Sequence, residues 1–458
     1  MFNHNEPLYE KRVPMSNKPF RKAGSLTLAL GLSAALLAAC SQGATQSDKN
    51  SEGEGSTPKP TAPKEPVELV FYAINGDPED SFNYRFGDAL RKKFPDYKIS
   101  YIFSQKGTTL PEMLTSGTRF DITYHSIGFY ENFLIPNGLQ YDMTELIQKH
   151  KVDLSRFEST SIDAIKQLSG GKMYSLPVYG NNLVLYYNKS IFDKFGVPYP
   201  TNGMTWKQTT DLAKKLTRQD GGVQYSGFGM NPTLLTRMNP LSIPNADLAT
   251  HTPTVNKNDL WKRFYQTFFI DPQLSPGAIQ AIPDNTPFVK EKNVAMMAYL
   301  SSLITIWTEQ LKEVDWDIVS LPSFEDNPGV GSQINSINFG ITSIAKNKDA
   351  AMEVLNYMTS EEFQTGLAKK GIMPVLKSES VRNALGQESV FKDKNFKAIF
   401  HNKPAPIPPK ALYDAELVTI YAKYGTQVWQ DKADINTAMR LAEEEAKKKI
   451  EEFQSKMK

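Results

Sequence analysis

Reactive side chains are scarce in this chain, and their spacing excludes more chemistry than it allows. Cys40 is the single cysteine among 458 residues. An internal disulfide, a Cys-x-x-Cys redox pair and a cysteine zinc cluster are therefore ruled out. Histidines stand at 4, 125, 150, 251 and 401. No two have metal-ligand spacing, which excludes a His-Glu-x-x-His hydrolase. No Gly-x-Ser-x-Gly elbow occurs. Acids are plentiful, but none lies at a motif that would set two carboxylates across a glycosidic bond. No cofactor is expected. Asn75 and Asp77 share one short polar loop, and Tyr124, His125 and Ser126 follow a later strand. Asp77 can accept from two hydroxyls, or it can close an Asx turn or cap a helix before Glu79. His125 has no Asp or Cys nearby to make it a base or metal ligand. It is either a binding contact or a half-buried loop residue.

The scaffold that must hold these loops is legible in outline. Val67 to Tyr72 is a short apolar strand, and Asn75-Gly76-Asp77-Pro78 is a turn. From Glu79 to Phe94 the spacing of Phe82, Phe86, Ala89 and Leu90 predicts one apolar helix face. Tyr97–Phe103 and Phe120–Tyr124 read as strands, and 110–114, 129–134 and 143–150 as helical text. This alternation predicts an open parallel α/β sheet. Ligands of such sheets sit beyond the carboxyl ends of the strands, here the loops at 73–77 and 124–128. A second α/β unit starts at Leu183. At the end of the chain Ile435, Met439, Ala442, Ala446, Ile450 and Phe453 form the stripe of an amphipathic helix packed on the body.

Before the body, Lys18, Arg21 and Lys22 precede the uncharged stretch Ala23–Ala39, a secretory leader too short to be a comfortable membrane span. Residues 41–66 contain no Val, Ile, Leu or aromatic side chain and read as a flexible tether. The formal charge is +2, and removal of residues 1–39 turns it to about −1. No basic surface for nucleic acid is left.

Residues 171–216 carry Gly171, Lys172, Tyr174, Leu176, Pro177, then Leu185–Lys189, Phe192, Lys194, Gly196, Val197, Thr205, Trp206 and Ala213–Leu216. This set resembles the most recognisable stretch of the family-one extracellular solute-binding proteins, the maltose-binding-protein-like receptors of bacterial ABC importers. Phe71–Asp77, Phe120–Tyr124, Asn293–Met297, Asp315–Ile318 with Leu321-Pro322, Phe339–Ser360 and Gly371–Val375 are similar to further family segments in the same order. The sequence Leu37-Ala38-Ala39-Cys40 resembles a lipoprotein lipobox. Its cysteine would carry a diacylglyceryl anchor, with two acyl chains sufficing for stable attachment.

The resemblance implies a two-lobed α/β clamshell of the type II periplasmic-binding-protein kind, hinged between lobes. Residues 1–39 would be the signal peptide and 40–66 the anchored cysteine and tether. Lobe one would be 67–178 plus 334–399, and lobe two 179–333 plus 400–458. The implied function is capture of a carbohydrate, an oligosaccharide first, and delivery to an ABC permease at the outer face of the membrane, as a monomer and not an enzyme. A polyamine, metal chelate or peptide in the same fold, or a cell-surface glycoside hydrolase, are the alternatives. A sugar needs planar aromatics for its ring faces and polar groups for its hydroxyls. The resemblance places Asn75, Asp77, Tyr124, His125, Ser126, Tyr179 and Asn181 around the cleft from lobe one and the crossing. From lobe two it places Tyr299, Trp307 and Tyr413 there. Trp206 and Trp316 fall in scaffold motifs and are expected in the core.

Overall fold

The structure, a computed structural model, describes residues 66–457 except 76, 128–129, 272–278 and 282–285. The leader, Cys40 and the tether to 65 lie outside the described residues.

The first sheet is built around β1 (Val67–Ala73), β2 (Tyr97–Phe103), β3 (Ile122–Ser126), β4 (Leu176–Tyr179) and β10 (Ile337–Ile341). β1 is apolar on successive residues, Leu69 to Ala73, and all of them are buried. A strand covered on both faces reads this way. It pairs in parallel with β2 from Val67 opposite Tyr97 to Ala73 opposite Phe103, and with β3 from Phe71 opposite Ile122. The helical run 79–93 lays Phe82, Phe86 and Leu90 on the sheet, all fully buried, as the spacing predicts. The three strands read from the sequence pair in parallel as expected, and a later strand joins them in the opposite direction. β10 returns from far downstream and inserts antiparallel between β3 and β4, with Phe339 opposite Tyr124. Strand order at that distance is not written in local periodicity.

The second sheet comprises β5 (Leu183–Asn188), β6 (Phe228–Met230), β7 (Ile279–Ala281), β8 (Met296–Leu300) and β9 (Trp316–Ser320), in the order β7-β6-β8-β5-β9. β6, β7 and β8 run in parallel, and β5 opposes both its neighbours. Trp316, Trp206 and Trp261 are buried here, the first two as expected. α2 (Pro232–Arg237) follows β6, and the two closing helices α4 (Asp414–Trp429) and α5 (Ile435–Met457) pack on each other, α4 also against α2. Met439, Ala442, Ala446 and Ile450 form the buried face of α5. Among the described residues no helix is long and apolar enough to cross a membrane.

Residues 180–182 carry the chain from the first sheet to the second. The chain meets the second sheet again in the segment before 399. Phe391 packs edge-on to Trp316 at 5.1 Å, and the Asn395 amide donates to Asp317 Oδ1 at 2.8 Å. Residues 391–399 touch both parts of the chain, since Phe396 lies against Gly371 and Gly386 while Phe391 and Asn395 meet the second sheet.

Candidate functional site

The two sheets turn matching edges toward each other. β1 and β3 end at Ala73 and Ser126, β4 ends at Tyr179, and antiparallel β10 begins beside them at Ile337. In the second sheet β6 and β8 end at Met230 and Leu300, and β5 begins at Leu183 opposite Leu300. With only residues 180–182 between the edges, the strand-end loops of both sheets border one cleft, where open α/β sheets hold ligands.

On the first wall Asp77 is not free. Its carboxylate forms an ion pair with Arg85 and accepts from Tyr124 Oη at 3.0 Å. Arg85 Nη1 donates to Tyr179 Oη at 3.0 Å, and the two tyrosine hydroxyls lie 2.9 Å apart. Tyr101 Oη donates to the Asp77 carbonyl at 2.5 Å. The guanidinium also sits 5.5–6.0 Å from the ring centres of Phe86, Tyr124 and Tyr179. The pair is well covered, with 13% and 14% of the two side chains exposed. Burial raises the Asp77 carboxyl above its ordinary value against the pull of Arg85 and Tyr124. Burial acts to lower Arg85, but Tyr124, Tyr179 and Asp77 outweigh it and hold the guanidinium charged. Neither an Asx turn nor a helix cap employs Asp77. The helix at Glu79 has Pro78 at its cap.

His125 is a strand residue, fully buried, and not a loop histidine. Its Nδ1 lies 3.0 Å from the Ser126 carbonyl, Tyr130 meets it edge-on, and Nε2 has no partner among the described residues. Burial drives its pKa down to about 4, so the ring is neutral near pH 7. Ser126 and Asn75 keep part of their surface open at the strand ends, and Asn75 Oδ1 is buried without a partner among the described residues.

At the crossing, Asn181 is fully engaged. Its Nδ2 donates to Ser302 Oγ at 2.7 Å, while Oδ1 accepts from Ser301 Oγ at 3.1 Å and the Ser302 amide at 3.2 Å. Its carbonyl accepts from the Asn335 amide at 2.8 Å, which ties the outgoing and returning segments together. Asn181 thus fastens the crossing segments to the end of β8. On the second wall Tyr299 is buried against Trp307 with ring centres 5.4 Å apart, and Trp307 is half-buried after the short helix α3 (Leu303–Ile306). Tyr413 does not join them. It is 2% exposed, edge-on to Phe453, with its hydroxyl 3.0 Å from His251 Nδ1.

Among the described residues no cluster of three His, Cys, Asp or Glu could hold a metal. A cavity of about 170 Å³ lies at the far end of the second sheet, among Asn188, Lys194, Tyr225 and Lys292. None of the sequence-predicted residues lines it.

Residues 75–365 match the profile of the family described as bacterial extracellular solute-binding protein. The chain belongs to this family. The solute-binding protein is 22% identical over 350 residues to an arabinooligosaccharide-binding protein of Halalkalibacterium halodurans, covering 72% of this chain and 74% of that one. It is 24% identical over 378 residues to a carbohydrate ABC transporter substrate-binding protein of Streptococcus pneumoniae, covering 76% and 70%. In three Brucella proteins the match spans only about half of their length, 52%. The crystal structure of a sugar transporter from Rhizobium etli in an open conformation superposes with a TM-score of 0.68 at 21% identity, over 83% of this chain and 99% of that one. That likeness shows a common two-lobed fold.

Sequence reasoning missed two parts of the solute-binding protein's cleft. Arg85 sits eight residues beyond Asp77 on the helix over β1, and an arginine one turn after Ser81 on an aromatic face was the available signal. Asn231, Pro232 and Thr233, part-exposed where β6 ends, occupy the same kind of strand-end loop as Asn75. The rule used for the first sheet finds them in the second.

Proposed function

We propose that this protein is the receptor of an ABC importer for a carbohydrate, most simply an oligosaccharide, held between the two strand-end walls and passed to a membrane permease. The observation that carries this reading is the composition of the cleft rim. The polar residues Asn75, Ser126, Thr233 and Ser302 stand part-exposed there, together with Trp307. Polar rims around an aromatic plate suit a polyol ring. The oligosaccharide named for the Halalkalibacterium relative supports the same class. In this reading Asn75, Ser126 and Trp307 touch the sugar. Asp77, Tyr124 and Tyr179 form a rigid wall behind it, and Asn181 fastens the hinge between a lobe on each sheet. Cys40 carries the lipid and residues 41–66 tether the body at the outer face of the membrane. The protein acts as a monomer that catalyses no reaction, and chromogenic glycosides should pass through it unchanged. A thermal-shift screen of mono- and oligosaccharides tests the reading. A bound sugar raises Tm in proportion to RT ln(1 + [L]/Kd). If millimolar concentrations of the whole panel leave Tm where it was, the carbohydrate assignment fails.

A further inference from the structure

α2 bridges the two borders of the second wall. It starts at the end of β6, and just beyond its last residue the Met238 and Asn239 carbonyls accept from the backbone amide and Nε2 of Gln333 on the returning segment, at 3.2 and 3.0 Å. Leu234 and Leu235 are buried on the side that meets α4. Thr233 and Arg237 are spaced i, i+4 and share the part-exposed side of α2, the helix that starts at the strand end bordering the cleft. Among the described residues Arg237 has no hydrogen bond, ion pair or aromatic ring beneath its guanidinium, whereas Arg85 and Arg263 are both paired with aspartates. Two residues on, Asn239 is 2% exposed. Its Oδ1 accepts from the Leu241 amide at 2.8 Å, which fixes the orientation of the side chain, and Nδ2 is left as a buried donor without an acceptor. A guanidinium with no protein partner among the described residues and a buried amide N–H without an acceptor thus lie two residues apart, where α2 meets the returning segment.

We infer that the ligand of this receptor carries an anionic group, a carboxylate or a phosphate on the sugar, received by Arg237. A part-buried cation without a counter-ion is less favourably held than a paired one, and an anionic ligand supplies the missing charge through a charge-assisted bidentate contact. Burial alone acts on Arg237, lowering its proton affinity, with no acid set beside it. The inference rests on the carbohydrate reading above and narrows it.

Calorimetry on the purified protein decides the matter with three probes: a neutral disaccharide, the uronate disaccharide of the same linkage and a hexose phosphate. At least one charged probe should bind about tenfold or more tightly than the neutral one, and which one does so separates carboxylate from phosphate. Arg237→Gln should abolish that preference and Arg237→Lys should retain part of it. The ligand-free Tm of Arg237→Gln should stay level or rise, because an unpaired charge is removed, and this separates lost recognition from lost folding. Equal binding of neutral and charged probes, unchanged by Arg237→Gln, overturns the inference and leaves the carbohydrate reading intact. Absence of binding by any of the three, with a silent thermal-shift panel, sinks both.

Discussion

At the scale of single residues, the first wall was half legible. Asp77 stood out because an Asn-Gly-Asp loop after a strand is a short-range pattern. Its actual engagement was hidden, since Arg85, Tyr124 and Tyr179 converge on it only after folding. Removing Arg85 would leave a buried carboxylate unpaired. Arg85→Met should cost roughly 3–5 kcal/mol in urea unfolding, and adding Asp77→Asn should recover most of the loss. A single-variant cost no larger than that of an exposed pair would mean the network is not closed. His125 offers a pH test. Its folded value of about 4 lies below the ordinary 6.5. Above 6.5 both folded and unfolded chains hold it neutral, and its contribution is complete. As pH falls toward 4 the unfolded chain takes up a proton that the folded one refuses. Stability therefore drops, by about 3 kcal/mol in full. His125→Asn should flatten the decline in unfolding free energy between pH 6.5 and 4.5. An identical slope in the variant would place the titration elsewhere.

At the scale of elements, strands and helices near one another in sequence were readable, and strand order was not. β1, the helix over it and β2 follow from local periodicity, so their extents match the expectation closely. The resemblance assigned 334–399 to lobe one, but the place of β10 between β3 and β4 was not legible, because nothing in Ile337–Ile341 says which strands it will separate. Tyr413 was misplaced for the same reason, since its partners His251 and Phe453 come from distant segments. β10 also fits tightly. A methyl group on Gly340 would lie 2.5 Å from the Tyr174 carbonyl, a backbone atom that cannot step aside cheaply. Gly340→Ala should therefore cost about 1–3 kcal/mol, read as a lowered urea midpoint with an unchanged m-value.

At the scale of the whole molecule, the fastenings between the sheets decide how it moves. Asn181 joins the crossing segments to the Ser301-Ser302 turn, and the Lys410 amide reaches Gln167 Oε1 at 3.2 Å on α1 (Ser159–Leu168), a helix packed on β4. Closure by rotation about 180–182 is the expected response to a ligand touching both walls. Small-angle scattering should show a smaller radius of gyration with bound sugar than without. Trp307 is half-buried beside the cleft while Trp206, Trp261 and Trp316 are buried. Ligand-dependent fluorescence should thus disappear in Trp307→Phe. Its persistence at full amplitude would point to Trp429 instead.

The placement of β10 also bears on how the chain is made. An interior strand of the first sheet is encoded at 337–341, while every other strand of that sheet lies before residue 180. A ribosome must therefore translate past residue 341 before the earliest-synthesised half can complete its hydrogen bonding. Until then the nascent polypeptide is kept from settling into a finished fold, which leaves it threadable for most of its synthesis.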